Sequence, residues 1–159
     1  MCSREYSESL RLVEAGLVAN PNDWLLLNNQ AFALASLGRV SEAEATFRKI
    51  LIDQADVAKY SVWRATRGLL HFRRGRIAQG REDYAEAIRT FEKRGLLQSA
   101  AIAAVYLARE EMIAGENAKP AVERAAKLAK SVKLIEAEDW IRDLRDAITT
   151  GGRPPQTIR

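Results

Sequence analysis

The stretch WLLLNNQAFALASLGRVSEAEATF, residues 24–47, predicts two α-helices joined by a tight turn at Gly38. Its first half is apolar around much of a helical circumference, which indicates a helix contacted on several sides. Gly38 can adopt the left-handed conformation that commonly ends a helix. Ser41 and Glu44 then have the spacing of a capping box, in which each side chain bonds a free backbone amide. We therefore expect the second helix to begin near Ser41.

The same order of helix, glycine and helix recurs along the chain. Gly75 follows Gly38 by 37 residues, and Gly115 follows Gly75 by 40. A helix pair that returns at a nearly constant period is typical of a repeat solenoid. Runs with the period-two pattern of strands are scarce, so the sequence predicts an all-α fold of about eight helices within residues 3–149.

Composition limits the classes of protein to consider. Hydrophobic residues make up 47% of the 159 positions and charged residues 29%, which suits a packed domain. No apolar run reaches the roughly 18 residues that span a bilayer, and the N-terminus lacks an apolar signal core. The single Cys2 fits a reducing compartment. We therefore predict a cytoplasmic protein that does not enter a membrane.

These residues resemble the tetratricopeptide repeat, which places small and apolar residues at fixed points around a turn glycine. The first full repeat matches at Leu27, Ala31, Leu34, Gly38, Ala43 and Phe47. The first helix matches the second half of a repeat at Tyr6, Ser9, Val13, Gly16 and Pro21. Later matches are Gly68, Gly75, Gly80, Tyr84 and Ala87, then more weakly Leu107, Ala108 and Gly115.

The resemblance implies a right-handed α-solenoid of antiparallel helix pairs. Its parts would be a half repeat at 3–22, repeats at about 23–52, 57–94 and 97–132, a capping helix at 135–149 and a loose tail at 150–159. It implies a non-enzymatic module whose concave groove binds a peptide or protein. The alternatives are a C-terminal sensor or adaptor segment of a larger regulatory protein and, less favoured, a nucleic-acid-binding repeat.

The two ends of the chain depart from the simple repeat. The chain starts on a helix of the second type, so its stripe of Tyr6, Leu10, Val13 and Leu17 would lack one neighbour. That face predicts either self-association through the first helix or a preceding segment. At the other end, the last helix is expected to act as a cap. Its inward residues are predicted to be Ala137, Trp140, Ile141, Leu144 and Ile148.

Few residues suggest catalysis. With one histidine and one cysteine, the chain cannot form a usual zinc set, and no phosphate-binding loop is present. We predict no catalytic residue, no metal and no cofactor. The adjacent Glu110 and Glu111 are interpreted as part of a solvated helix surface.

A basic stripe on the fourth helix is the one unusual constellation. Arg64, Arg67, His71 and Arg74 recur at i, i+3, i+7 and i+10. With Trp63, Thr66 and Leu70 as the core stripe, the basic stripe would turn toward the concave face. It could form an ion-pair ladder with Glu110 and Glu111, bind an acidic peptide through its arginine forks, or contact nucleic acid. In the ladder, Glu111 would lie near His71.

The candidate groove residues follow from these positions. They are Asn28, Phe32, Arg64, Arg67, His71, Phe72, Arg74 and Met112. Some tetratricopeptide proteins hold a chaperone's C-terminal carboxylate with lysines and an asparagine. Here Asn28 is present, but Phe32 and Thr66 stand at other clamp positions, which disfavours that partner.

Overall fold

The computed structural model describes residues 3–152, and side chains from residue 5 onward. This part of the chain forms eight α-helices and no strand, which confirms the all-α prediction. The helices are α1 Ser3–Ala19, α2 Trp24–Ser36, α3 Val40–Phe47, α4 Val57–Arg73, α5 Ile77–Lys93, α6 Leu97–Ile113, α7 Lys119–Ser131 and α8 Ile135–Thr150.

Glycines end the helices where the sequence predicts. Gly38, Gly75 and Gly115 have φ angles of 79°, 73° and 76°, and each lies between two helices. At Gly75 the amide bonds the Phe72 carbonyl, and the next amide bonds His71, as expected for a left-handed cap. Residues with a Cβ rarely adopt these angles, so the three turns are encoded locally.

The capping box predicted at Ser41 is wrong. The helix α3 begins at Val40, after an N-cap at Arg39 whose side chain makes no capping bond. Ser41 consequently lies inside the first turn, and the side chains of Ser41 and Glu44 accept hydrogen bonds from Arg74, the C-cap residue of α4. By contrast, α2 is capped locally, because the Asp23 carboxylate accepts from two backbone amides at 2.9 Å.

The helices lie in two rows. The even-numbered helices contact one another in order, α2 with α4, α4 with α6 and α6 with α8. Each odd-numbered helix packs its backbone against its neighbours in the chain. Longer side chains reach further, since Arg109 of α6 bonds Tyr6 of α1 and Arg124 of α7 pairs with Glu92 of α5. The core lies between the rows, and small residues of α6, among them Ala100, Ala104 and Ala108, are fully buried there. The row of even-numbered helices therefore presents a surface built mainly by α2, α4 and α6.

One residue of α8 that was expected to point inward, Ile148, is exposed. The other inward positions are confirmed for Ala137, Ile141 and Leu144, which are buried. Trp140 is partly buried and packs against the core.

Both chain ends differ in part from expectation. In α1, Leu10 and Val13 are buried and Tyr6 contacts Phe32 of α2, so the apolar stripe already has a partner within the chain. Self-association through α1 stays a prediction. The loose tail was predicted from residue 150, but Thr150 belongs to α8 and Gly151 caps it; residues 153–159 lie outside the described part. Among the described helices, none has the length and apolar character needed to cross a membrane.

Two glycines bring α4 and α5 into close contact. A Cβ on Gly80 would lie 2.5 Å from the Phe72 ring and 3.1 Å from the Gly68 carbonyl oxygen. A Cβ on Gly68 would lie 2.9 Å from the Tyr84 ring. Since carbon atoms in contact are normally about 3.5–4.0 Å apart, neither glycine leaves room for a methyl group.

Gly80→Ala is expected to destabilise the protein by about 1–3 kcal/mol through overpacking. A loss of stability would identify overpacking, because helix propensity alone would make alanine more stable than glycine by about 1 kcal/mol. The matched control is Gly16→Ala in α1, where the new Cβ would meet only the flexible end of Leu26 at 3.0 Å. Urea unfolding followed by circular dichroism measures both, and equal stability of Gly80→Ala and wild type would refute the close contact.

Candidate ligand groove

A cavity opens between α2, α4, α5 and α6. Its volume is about 320 Å³, which lies at the lower end of the range for ligand pockets. Its walls come from α2, α4, α5 and α6: Asn28, Asn29, Phe32, Val62, Ala65, Thr66, Tyr84, Phe91, Ser99, Ile102, Ala103 and Tyr106. None of these lining residues is charged, and most present carbon atoms. The cavity therefore suits a neutral, largely apolar group.

Asn28 is the most unusual residue of the lining. Only 4% of it is exposed, and its Oδ1 atom is buried without a hydrogen-bond partner. A buried acceptor left unpaired costs roughly 1–3 kcal/mol of desolvation.

An aromatic cluster forms one end of the cavity. Phe32 of α2 meets Tyr106 of α6 edge to face, with ring centroids 5.0 Å apart, and Tyr6 of α1 meets Phe32 at 6.2 Å. Arg109 then donates from Nη1 to the Tyr6 hydroxyl at 2.7 Å. Burial raises the pKa of Tyr106 to about 12, so its hydroxyl is neutral at physiological pH. The cluster ties α1, α2 and α6 together without placing a charge in the cavity.

The basic stripe of α4 converges on one carboxylate of α5. Asp83 is 3% exposed; its two oxygens accept from Arg67 at 2.7 and 2.5 Å, and Oδ1 also accepts from Arg64 at 3.0 Å. His71 Nδ1 lies 3.3 Å from Oδ2. Burial raises the pKa of the Asp83 carboxyl, but Arg67 and Arg64 more than offset this, so that the pKa lies below its usual value. Asp83 thus pairs with both arginines and offsets one of their two charges.

The predicted partners of the stripe were wrong. Glu111 does not lie near His71; it pairs with Arg81 of α5 at 2.7 Å. Among the stripe residues, Arg67 also stacks on Trp63, with its guanidinium carbon 4.7 Å from the ring centroid. The stripe therefore faces α5 and not the cavity, because Asp83 on the adjacent antiparallel helix is closer than either glutamate of α6.

The two glutamates of α6 were also misplaced, since both are buried. Glu110 is 1% exposed and its Oε1 accepts from Arg109 at 2.7 Å and from Arg73 at 3.0 Å. Arg109 itself is fully buried and lies over the Tyr106 ring at 4.9 Å. Buried charges persist only when they are paired, so these residues are structural and do not form a solvated face.

The eight predicted groove residues occupy five separate places. Asn28 and Phe32 line the cavity, and Arg64, Arg67 and His71 surround Asp83. Phe72 packs over Gly80, Arg74 binds Glu44 at 2.8 Å, and Met112 is partly buried against the core. Of the eight, only Asn28 and Phe32 line the cavity.

Sequence reasoning missed Asp83 and most of the cavity wall, although signals existed. Asp83 lies three residues after Gly80 and one before Tyr84, on the stripe that α5 buries. A carboxylate at a core position requires a cationic partner, and the arginines of α4 were the nearest cations in the sequence. Ile102 and Tyr106 are spaced i, i+4 on α6, which is apolar on more than one face and so has more than one neighbour.

Asp83→Asn is expected to cost about 3 kcal/mol or more at neutral pH, because it leaves two arginines without their carboxylate. The folded-state pKa of Asp83 lies below its unfolded value of about 3.9, so its contribution is present above that value and is lost as the pH falls through the folded pKa. The difference in the free energy of unfolding between wild type and Asp83→Asn should therefore become smaller in acid. The control is Glu86→Gln on α5, whose exposed ion pair should contribute about 0–1 kcal/mol. A constant gap at all pH values would contradict the ion-pair assignment.

Tyr6→Phe is expected to cost about 1.5–3 kcal/mol, the usual contribution of a hydrogen bond to a charged group. Amide exchange in α1 should accelerate, since the bond from Arg109 joins α1 to α6. The control is Tyr60→Phe, which keeps the ring that stacks on Trp63. Unchanged exchange in α1 would show that the hydroxyl does not anchor this helix.

Comparison with known proteins identifies no relative of this chain. The chain matches no protein-family model, no curated protein and no solved structure. The resemblance to tetratricopeptide repeats therefore rests on the residues that carry it.

Proposed function

We propose that this protein is a non-enzymatic interaction module that binds a peptide or protein partner in its groove. The two rows of helices would form a right-handed solenoid of the tetratricopeptide type, with the even-numbered row on the concave side. The groove would be rigid, since close packing of α4 on α5 and the buried charges of α6 hold its walls. Binding would then need little reorganisation of the protein, which favours affinity.

The cavity is the observation that carries this proposal. It lies between α2, α4, α5 and α6, and its lining residues are uncharged. A concave apolar site with a few polar groups is the usual form of a ligand site. A peptide that inserts one side chain there would gain apolar contact area.

The sequence suggested that the basic stripe could bind an acidic partner. The structure gives this idea less support, because the arginines of the stripe already have carboxylate partners. Arg64 and Arg67 already bind Asp83, and Arg74 binds Glu44. Recruiting them to a ligand carboxylate would break buried or partly buried ion pairs. The favoured partner therefore contacts the neutral cavity, with acidic groups outside it.

Peptides selected from a displayed random library against the whole chain test this function. Ala65→Arg, which projects a long side chain from the cavity wall on α4, should weaken selected peptides about tenfold or more, as loss of a central anchor does. Ala45→Arg, on an exposed position of α3, should leave their affinity unchanged. Thermal melting verifies that both variants fold. Failure to select any peptide, or equal binding to both variants, would count against a groove-based function.

A further inference from the structure

We propose that one edge of the helix stack docks on the surface of an anionic lipid bilayer. This edge consists of the turns in which odd-numbered helices end and even-numbered helices begin, and we call it the turn edge. It comprises residues 18–25, 48–57, 93–97 and 130–136. The inference goes beyond the proposed function, since the turn edge shares no residue with the lining of the cavity.

The directions of the helices bring these four turns to one side of the molecule. Arg64 of α4 bonds Asp83 of α5, and Gly68, one turn later in α4, faces Gly80, almost one turn earlier in α5. The two helices are therefore antiparallel, as the short turns between consecutive helices require. Helices two apart consequently run in the same direction, and where they pack, as α4 does on α6, their like ends lie about 8–10 Å apart.

Large aliphatic side chains protrude from the turn edge. Among the described residues, the three most exposed large hydrophobic ones all lie there, namely Leu51 at 92%, Val18 at 86% and Ile135 at 74% exposure. Leu96 is a fourth exposed residue of this edge. Single exposed aliphatic residues are ordinary on a protein surface, but their concentration on one edge indicates an interaction surface.

Basic residues accompany these aliphatic side chains. Two cations precede the exposed aliphatic residue in each of the three later turns: Arg48, Lys49, Lys93, Arg94, Lys130 and Lys133. Within the described part of the chain, none of these six cations forms an ion pair. At the opposite edge, by contrast, Arg74 binds Glu44 at 2.8 Å. The cations of the turn edge are therefore available to a partner.

Carboxylates reduce the positive charge of the turn edge only in part. They are Asp23, Asp53, Asp56, Glu136 and Glu138. Asp23 and Asp53 accept from backbone amides, and Asp56 pairs with Lys59. The turn from α5 to α6 has two cations and no carboxylate between residues 93 and 100. Positive charge is consequently most concentrated at that turn.

This combination of side chains fits a bilayer better than a nucleic acid or an acidic peptide. Anionic headgroups attract cations close to the surface, and aliphatic side chains gain by entering the boundary with the acyl chains. Proteins that bind single-stranded nucleic acid use exposed rings for stacking. Trp24 is the only aromatic residue of the turn edge, and Lys59 already lies over its ring. An acidic peptide would need a continuous groove, whereas these side chains project from separate turns.

The test measures co-sedimentation of the whole chain with lipid vesicles. The vesicles contain either phosphatidylcholine alone or phosphatidylcholine with roughly one-third phosphatidylserine. We expect binding to the anionic vesicles to be about tenfold tighter or more, because several cations approach the charged surface. This difference should shrink as salt is added, since exposed charges are screened. Duplex DNA and soluble phosphoserine serve as competitors, and neither should displace the protein from the vesicles.

Neutralising one turn tests the electrostatic part of the inference. Lys93→Gln combined with Arg94→Gln should weaken binding to anionic vesicles about 25-fold, because each basic residue near such a surface contributes about fivefold. The matched control is Arg76→Gln combined with Lys119→Gln, which removes the same charge from exposed positions of the opposite edge. The control should bind much as the wild type does. Circular dichroism verifies that both variants fold.

Leu51→Ala tests the insertion of aliphatic side chains. It should weaken binding about tenfold or more, since each methylene that enters the lipid contributes about fourfold. The control is Ile113→Ala at the opposite edge, where an exposed aliphatic residue should be irrelevant to docking.

Any of five results would overturn the inference: no binding to vesicles, equal binding to neutral and anionic vesicles, displacement by duplex DNA or phosphoserine, equal losses in the two charge variants, or full affinity of Leu51→Ala. The proposed function is judged separately by the library peptides and by Ala65→Arg. If library peptides bind the groove and vesicles do not bind the turn edge, the inference fails and the function stands.

Discussion

The close approach of α4 and α5 is the constraint on which the groove depends. Gly68 and Gly80 let the two backbones come nearer than any side chain would allow. At that distance Asp83 reaches both Arg64 and Arg67, so that the basic side of α4 turns onto α5. The remaining side of α4, with Val62, Ala65 and Thr66, is then free to form the cavity wall. A contact between two glycines thus decides which chemistry the groove presents.

The buried ions of α6 complete the same arrangement from the other side. Arg109 and Glu110 pair within the core, and Arg73 joins them from α4. Such groups are costly to desolvate and contribute little net stability compared with apolar residues, but removing one partner is strongly destabilising. Their orientation is therefore tightly specified. Through Tyr6, this cluster also determines where α1 lies relative to α6.

The uncharged lining of the cavity is the feature that the proposed binding function would use. A partner would find the walls already in place, which would reduce the entropy lost on binding. The positive charge of the chain, a net +4, is not concentrated at the cavity, because much of the arginine content pairs with carboxylates. Selectivity of the proposed module would then come from the shape of the cavity, and long-range attraction would matter less.

The sequence alone determined the helical elements and the glycines at which three of them end. Gly38, Gly75 and Gly115 end helices through backbone conformation, and the apolar stripes repeat with helical period, so both signals act over a few neighbouring residues. It also placed Asn28 and Phe32 on the groove side. Only the tertiary structure decided that Asp83, and not Glu110 or Glu111, binds the basic stripe, and that Tyr106 and Ile102 join Asn28 at one cavity. Those outcomes depend on the distance and rotation between helices, which non-local packing at Gly68 and Gly80 sets and no local pattern records.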